Sequence, residues 1–171
     1  IRIEDIWFGG VTEIPNYIYD PATVSNGYRI PTSAEWEFAA KGGNEGCKNL
    51  TAFSGSDNYS EVGWWRDNSA VGGDAALHEV AKLKANQLGI YDMSGNVGEW
   101  CYDYGVPYSY EYPLEPETDP IGPAENLNDT KIYRGGYYST YDTKGKVYYT
   151  DKMDPTTTDS TIGFRVVRTI K

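Results

Sequence analysis

Apolar and polar positions alternate from Ile1 to Phe8, with Ile1 and Ile3 set against Arg2 and Glu4, and this two-residue period predicts a short strand. Gly9 and Gly10 turn the chain, and a loop punctuated by Pro and Asn runs on to Gly27. Tyr28-Arg29-Ile30-Pro31 reads as an extended lead-in. Thr32 and Glu35 have the spacing of a capping box, in which each side chain satisfies the other residue's backbone N–H. Ala34, Trp36, Phe38, Ala39 and Ala40 supply a helical run behind that cap, and Gly42-Gly43 stops it. This is the one helix the pattern defines. Residues 44–86 are irregular, rich in Gly, Asn, Ser and Asp, with Trp64-Trp65 in the middle. A loop region this long either carries function or wraps a core that few regular elements build. Beyond it come Leu88-Gly89-Ile90-Tyr91, a tight Ser-Gly-Asn turn at 94–96 and strand-like Val97 to Tyr102. A Pro-rich irregular stretch spans 107–123. Lys131–Arg134 then reads as a strand and Gly163–Arg168 as the closing one. No internal repeat is visible.

At 171 residues with no long linker, the chain reads as one domain over 1–171, large enough for a self-sufficient core. No stretch approaches the ~18 apolar residues of a membrane span, so membrane insertion by this domain is not expected. The first residue is Ile1 rather than Met, which leaves open an upstream segment. A net charge of −10 disfavours nucleic-acid backbones and anionic membrane surfaces as partners. Sixteen Tyr and nineteen Gly against four Phe suggest a loop-rich fold with much polar aromatic surface. Cys47 and Cys101 are too few for a disulfide framework or a thiolate metal site, and read as free thiols with Cys101 buried behind Trp100. The single His78 removes chemistry that needs two imidazoles. Trp36 and Trp100 read as core. Arg29 and Arg165, each beside extended apolar residues, read equally as buried partners of carboxylates or as surface charge.

Four blocks, GYRIPTSAEWEFAAKGG (27–43), NQLGIYDMSGNVGEW (86–100), YRGG (133–136) and GFRVVR (163–168), stand in an order that resembles the formylglycine-generating-enzyme/sulfatase-modifying-factor family. The resemblance implies an α+β, C-type-lectin-like fold with little regular secondary structure, in agreement with the loop-rich pattern. The family's usual entry helix is not evident before residue 27. The resemblance implies that members that oxidise a sulfatase cysteine carry two reactive thiols just after the RGG motif, which by counting from Gly136 would fall near Thr140 and Gly145. No cysteine lies between Cys101 and Lys171, and a hydroxyl neither binds copper(I) as a thiolate does nor undergoes thiol redox chemistry. The histidine triad of the related sulfoxide synthases cannot be drawn from one His. No nucleophile elbow, phosphate-binding loop or zinc spacing compensates, and no redox or organic cofactor is expected. The expectation is a protein that is not an enzyme.

Residues 137–161 have an unusual composition. Five Tyr, seven Thr, four Asp and two Ser fill eighteen of the twenty-five positions. Tyr gives rigid contact area at low entropic cost and the short polar residues give adaptable hydrogen bonds, the mixture found in antibody paratopes. The segment also resembles the variable region of retroelement-diversified proteins, in which adenine-templated Asn codons become Tyr, Ser, Thr or Asp. Asn is absent here, and Lys144, Lys146 and Lys152 need another template codon. Tyr137, Tyr138, Ser139, Thr140, Tyr141, Asp142, Tyr148, Tyr149, Asp151, Thr156, Thr157, Asp159 and Thr161 are therefore the candidate ligand-binding residues. The implied partner is a protein or glycan on another cell or virion, and the implied location is the cell surface or the extracellular space. Trp64 and Trp65 either join that face or plug the core. A divergent enzyme of the family and a structural domain of a larger surface protein are the competing readings.

The turn at 92–99 carries one more candidate. The side chains of Asp92 and Glu99 and the carbonyls of Gly95 and Val97 could offer four oxygens to a structural Ca²⁺, as the family resemblance implies at this motif. The alternative is that Asp92 caps the turn and Glu99 pairs with an arginine.

Overall fold

The computed structural model describes residues 2–4, 27–106, 118, 120–123 and 129–168. The expected Gly9-Gly10 turn, and most of the Pro-rich stretch, lie outside the described residues. The predicted opening strand is seen as β1 (Arg2–Glu4). β2 (Tyr28–Arg29) precedes helix α1 (Ser33–Ala40). The capping box forms as the spacing predicts. Glu35 N donates to Thr32 Oγ1 at 3.2 Å, and Thr32 N donates to Glu35 Oε2 at 2.9 Å. Arg29 grips the same carboxylate through two 2.6 Å bonds, so Arg29 is a carboxylate partner. Gly42-Gly43 does end α1, but Gly43 also starts a second short helix that the pattern did not reveal, α2 (Gly43–Lys48). Gly42 turns between them at φ +84, a conformation that favours glycine. A one-turn helix, α3 (Tyr59–Val62), and a small hairpin of β3 (Ala70–Val71) and β4 (Asp74–Ala75) interrupt the long irregular region.

Two sheets hold the rest. In the larger, β5 (Gly98–Tyr104), β6 (Lys131–Arg134), β7 (Asp151–Met153) and β8 (Ile162–Gly163) lie in the order β7-β6-β5-β8, with β5 and β8 parallel and the other pairs antiparallel. The single closing strand expected over 163–168 is divided. Its first part is β8, and β9 (Val166–Arg168) crosses to the other sheet, where it lies between β1 and β2. The division lets Arg165, between the two strands, turn inward.

The core under α1 gathers Trp36, Ala39, Ala40, Ile90, Met93, Cys101, Ile132 and Val147. Trp100 packs with Tyr133 and Ile162 on a second cluster, and Phe53, Tyr59 and Val62 form a third. A charged pair sits inside this packing. Glu99 accepts from Arg165 Nε and Nη2 at 2.6 Å each, and from Trp36 Nε1 at 2.6 Å. Both ionic side chains are only 6% exposed. Arg165 also reaches the Tyr91 carbonyl at 3.2 Å, so one carboxylate ties the helix, the central strand, the 88–91 segment and the closing strand together.

This arrangement gives Glu99 the arginine partner that the sequence offered as the alternative to calcium. Both Glu99 oxygens face the guanidinium and the indole N–H, so a cation there would have to displace Arg165 from its counter-charge. Asp92, at φ 55, accepts the Ala81 N–H at 2.7 Å and so fixes the neighbouring loop. Gly95 serves close backbone approach to Trp64, and Val97 is a buried hydrophobic. As placed, the Asp92 and Glu99 side chains each bond a protein group, and no group of three or more acidic, His or Cys side chains gathers among the described residues. Removing one partner of a buried pair strands the other charge, at a cost of about 3–5 kcal/mol. Glu99→Gln should lose about that much in urea unfolding, equally in calcium and in chelator. A calcium-dependent stability of the parent protein that vanishes in Glu99→Gln would restore the cation cage.

Candidate functional site

The segment 137–161 is launched by Gly135 and Gly136, both at positive φ (+92 and +68), which turn the chain off the end of β6. Gly136 leaves no room for a side chain, since a Cβ there would lie 2.9 Å from the Lys144 backbone. The Ser-Gly-Asn turn then holds the segment against the 54–78 loop. Ser94 Oγ accepts from Ser54 N at 3.1 Å and donates to Gly145 O at 2.8 Å. Gly95 N donates to Gly135 O at 2.7 Å, and Asn96 N to Trp64 O at 2.8 Å. Asn96 O accepts from Tyr138 N at 2.9 Å, while its side-chain amide brackets the backbone N–H and carbonyl of His78 at 3.1 Å each. Asn96 sits at φ 63, a left-handed conformation that Asn tolerates better than most residues.

Within the segment the candidate residues separate into two sets. Ser139, Tyr141, Asp142, Tyr148, Thr156 and Thr157 face outward. Tyr141 is 62% exposed and Tyr148 60%, against 49% for Tyr28 and 44% for Phe38. Arg66 lies 4.3 Å over the Tyr141 ring, an arginine that no sequence pattern had marked. Its backbone N–H donates to Thr140 O at 3.2 Å and Ser69 Oγ donates to Tyr138 O at 2.6 Å, so residues 66–69 border the same surface.

The other set builds the loop rather than its face. Thr140 is buried; its hydroxyl donates to Tyr137 O at 2.7 Å and accepts from Tyr137 N at 3.0 Å, which pins the turn. Tyr137 packs beside Trp100, Tyr133 and Ile162, with the half-buried Tyr138 ring edge-on to it at 6.4 Å. Asp151 takes Lys144 Nζ at 2.6 Å. Burial would raise its pKa, but the bonds from Lys144 and the Lys152 N–H outweigh that and hold it below the usual carboxylate range. Asp159 receives both the N–H and the hydroxyl of Thr161, at 2.8 and 2.6 Å. Tyr149 is half-buried, within 6.0 Å of the Lys144 ammonium. Composition could not separate these sets, because a short polar side chain serves a turn as readily as a ligand.

The Trp pair takes the plugging role. Trp65 stacks on Tyr59 at 5.2 Å, Tyr59 on Phe53 at 4.3 Å, and Trp64 stacks on His78 at 3.8 Å. Tyr59 is 3% exposed, and its ring tip occupies the space beside Gly145: a Cβ at 145 would lie 2.1 Å from the Tyr59 hydroxyl. Burial, and secondarily Asp142, push the phenol pKa far up. Cys101 is buried and its thiol is likewise raised by desolvation, so it is a poor nucleophile, while Cys47 is exposed. The Tyr59 hydroxyl has no hydrogen-bond partner among the described residues. Tyr59→Phe should therefore leave stability unchanged or raise it. A loss above about 1 kcal/mol in urea unfolding would show that the hydroxyl is satisfied in solution.

With the geometry established, known proteins that share it can be compared. The family model described as "Sulfatase-modifying factor enzyme 1-like domain" matches residues 7–170. The chain is 38% identical over 157 residues to "Chaperone protein LppX" of Paenibacillus barcinonensis, covering 84% of this chain and 50% of that protein. It is 32% identical over 152 residues to the formylglycine-generating enzyme of Streptomyces coelicolor, covering 81% of this chain and 46% of the enzyme. Among solved structures, Treponema denticola variable protein 1 superimposes with a TM-score of 0.67 at 33% identity, covering 82% of this chain and 47% of that one. The chain thus spans about half the length of these relatives. Their shared loop-rich, C-type-lectin-like architecture is the one expected from the sequence blocks. A match over nearly the whole chain, with these identities, places the protein in the sulfatase-modifying factor enzyme 1-like domain family.

Proposed function

We propose that this domain is a non-enzymatic ligand-binding module whose binding face is the outward set of residues 139–157. The observation that carries the reading is the pair of exposed tyrosines, Tyr141 and Tyr148, on a segment that Thr140, Asp151 and Asp159 hold in place. Preorganised loops with exposed Tyr bind with little entropic loss. The likeness to a treponeme variable protein supports a retroelement-diversified receptor at a cell surface, with a protein or glycan on another cell or virion as its ligand. No described helix is long and apolar enough to cross a membrane.

The chemistry at the two positions where the family's enzymes carry thiols supports the same reading. Thr140 is closed into its turn, and Gly145 is backed by the Tyr59 phenol with no room for a Cβ. The match to formylglycine-generating enzymes keeps the enzymatic alternative specific enough to test. Neither the protein nor its Thr140→Cys/Gly145→Cys variant should convert a sulfatase-motif peptide in the presence of copper(I), as read by mass spectrometry of the peptide. Conversion by the unmodified protein would make it an enzyme and end the proposal.

The binding face predicts a pattern of tolerance. A displayed library randomised at Ser139, Tyr141, Asp142, Tyr148, Thr156 and Thr157 should fold with stability changes within about 0.5 kcal/mol for most members. It should also yield binders to unrelated protein targets. Substitution of Thr140 or Asp159 should instead cost about 1–3 kcal/mol, because each leaves buried or turn N–H groups unsatisfied. Sister genes from the same genome should differ at the first set and agree at the second. Equal sensitivity of the two sets, or sister copies that differ elsewhere, would refute the assignment.

A further inference from the structure

A concavity lies between α1 and residues 120–123, and neither Tyr141 nor Tyr148 is among the residues that line it. It is a cleft of about 480 Å³, inside the range of small-molecule sites. Ala34, Glu37, Phe38 and Lys41 line one wall at the i, i+3, i+4, i+7 spacing of a single helix stripe. Pro120, Gly122 and Pro123 form the opposite wall. Gly122, at φ +74, keeps the space above Asp103 open, since a Cβ there would lie 2.8 Å from Asp103 Oδ1.

The floor is polar and buried. Asp103, Arg134 and Ser33 are 6%, 6% and 7% exposed. Arg134 donates from Nε to Ser33 Oγ at 2.7 Å, from Nη1 to Val147 O at 3.2 Å and from Nη2 to Glu37 Oε2 at 2.7 Å. Those bonds use three of the five N–H groups of a guanidinium. Asp103 Oδ2 accepts the Ser33 N–H at 2.6 Å. Glu37 also binds Lys41, so the two carboxylates and two cations of the cleft already balance.

That balance decides what can bind. An anion would meet two carboxylates and a protein of net charge −10, and a cation would find Glu37 already held by Lys41 and Arg134, with Arg134 also close to the cleft floor. A hydrocarbon would bury the floor without satisfying it, which costs free energy for each polar group. A pair of neighbouring hydroxyls both donates to a carboxylate and accepts from a guanidinium, while the C–H face of a sugar ring suits Phe38 and the prolines. Phe38 is 44% exposed at the mouth, placed to stack on such a ring. We infer that the cleft between α1 and residues 120–123 is a binding site for a neutral saccharide of one or two rings. Its residues other than Thr150 at the rim lie outside the proposed receptor segment, so the two sites stand or fall separately.

The test is titration of the ¹⁵N-labelled protein with D-glucose, D-galactose, D-mannose, N-acetyl-D-glucosamine, lactose and cellobiose, with D-glucuronate as an anionic comparison. At least one neutral sugar should give saturable, low-millimolar shifts at the amides of Ala34, Phe38, Cys47 and Thr150. It should also slow modification of the Cys47 thiol by an aromatic disulfide reagent, a clean reporter because Cys101 is buried. Phe38→Ala should weaken binding roughly tenfold, the upper end of a lost ring-stacking contact, with an unchanged melting temperature. Four results would each overturn the inference: no saturable shift with any neutral sugar, glucuronate binding at least as tightly, shifts confined to residues outside the cleft, or Phe38→Ala binding undiminished.

Discussion

The Ser-Gly-Asn turn at 94–96 is the junction on which the rest of the structure depends. A fold with few regular elements must satisfy its backbone N–H and C=O groups without long ladders. Here three consecutive residues bind Ser54, Trp64 and His78 on one side and Gly135, Tyr138 and Gly145 on the other. Gly95 permits this because its missing side chain lets the Trp64 backbone come within what would be 2.3 Å of a Cβ. Positive φ at both Gly95 and Asn96 then aims the amide groups in different directions. The 54–78 loop and the segment after Gly135 are thereby held against each other by directed bonds, although they lie far apart in sequence.

Immediately after the turn, Glu99 joins distant elements through its side chain as Asn96 does, both of them buried. The carboxylate joins Arg165 and Trp36, so the closing strand and the helix are set relative to the central strand. Such a pair adds little net stability over an apolar replacement, but breaking it is costly. It fixes the geometry of the elements that it joins. The same economy is visible in the tail. Thr140 and Asp159 close turns and Asp151 holds Lys144, which leaves Tyr141 and Tyr148 free of any structural duty to the core.

The loop that follows β6 is packed tightly at one place. Gly145 abuts the phenol of Tyr59, the middle ring of a stack formed by Phe53, Tyr59 and Trp65. The space beside Gly145 is filled by that aromatic packing, which holds the loop. Family membership therefore fixes the architecture, and the site is decided by what stands at 59, 140 and 145.

The sequence by itself determined the family, the α+β loop-rich class, the capped helix after Thr32, the strand at 131–134 and the burial of Trp36 and Trp100. These rest on local rules: a side chain reaching its own helix's N–H groups, or alternation along a strand, needs no distant partner. It also determined that no thiol pair exists at the tail. It did not reveal α2, which follows α1 with no polar cap beyond Gly42, nor the division of the closing strand around Arg165. Whether Glu99 would meet a cation or an arginine was open in the sequence, because the two partners lie sixty-six residues apart. The tertiary structure turns Arg165 inward, where it meets Glu99. It likewise sorted the polar residues of 137–161 into those that face outward and those that close turns, and brought Arg66 beside Tyr141. Short polar side chains have the same composition in either role, and only the direction each one points, set by contacts from remote parts of the chain, tells them apart.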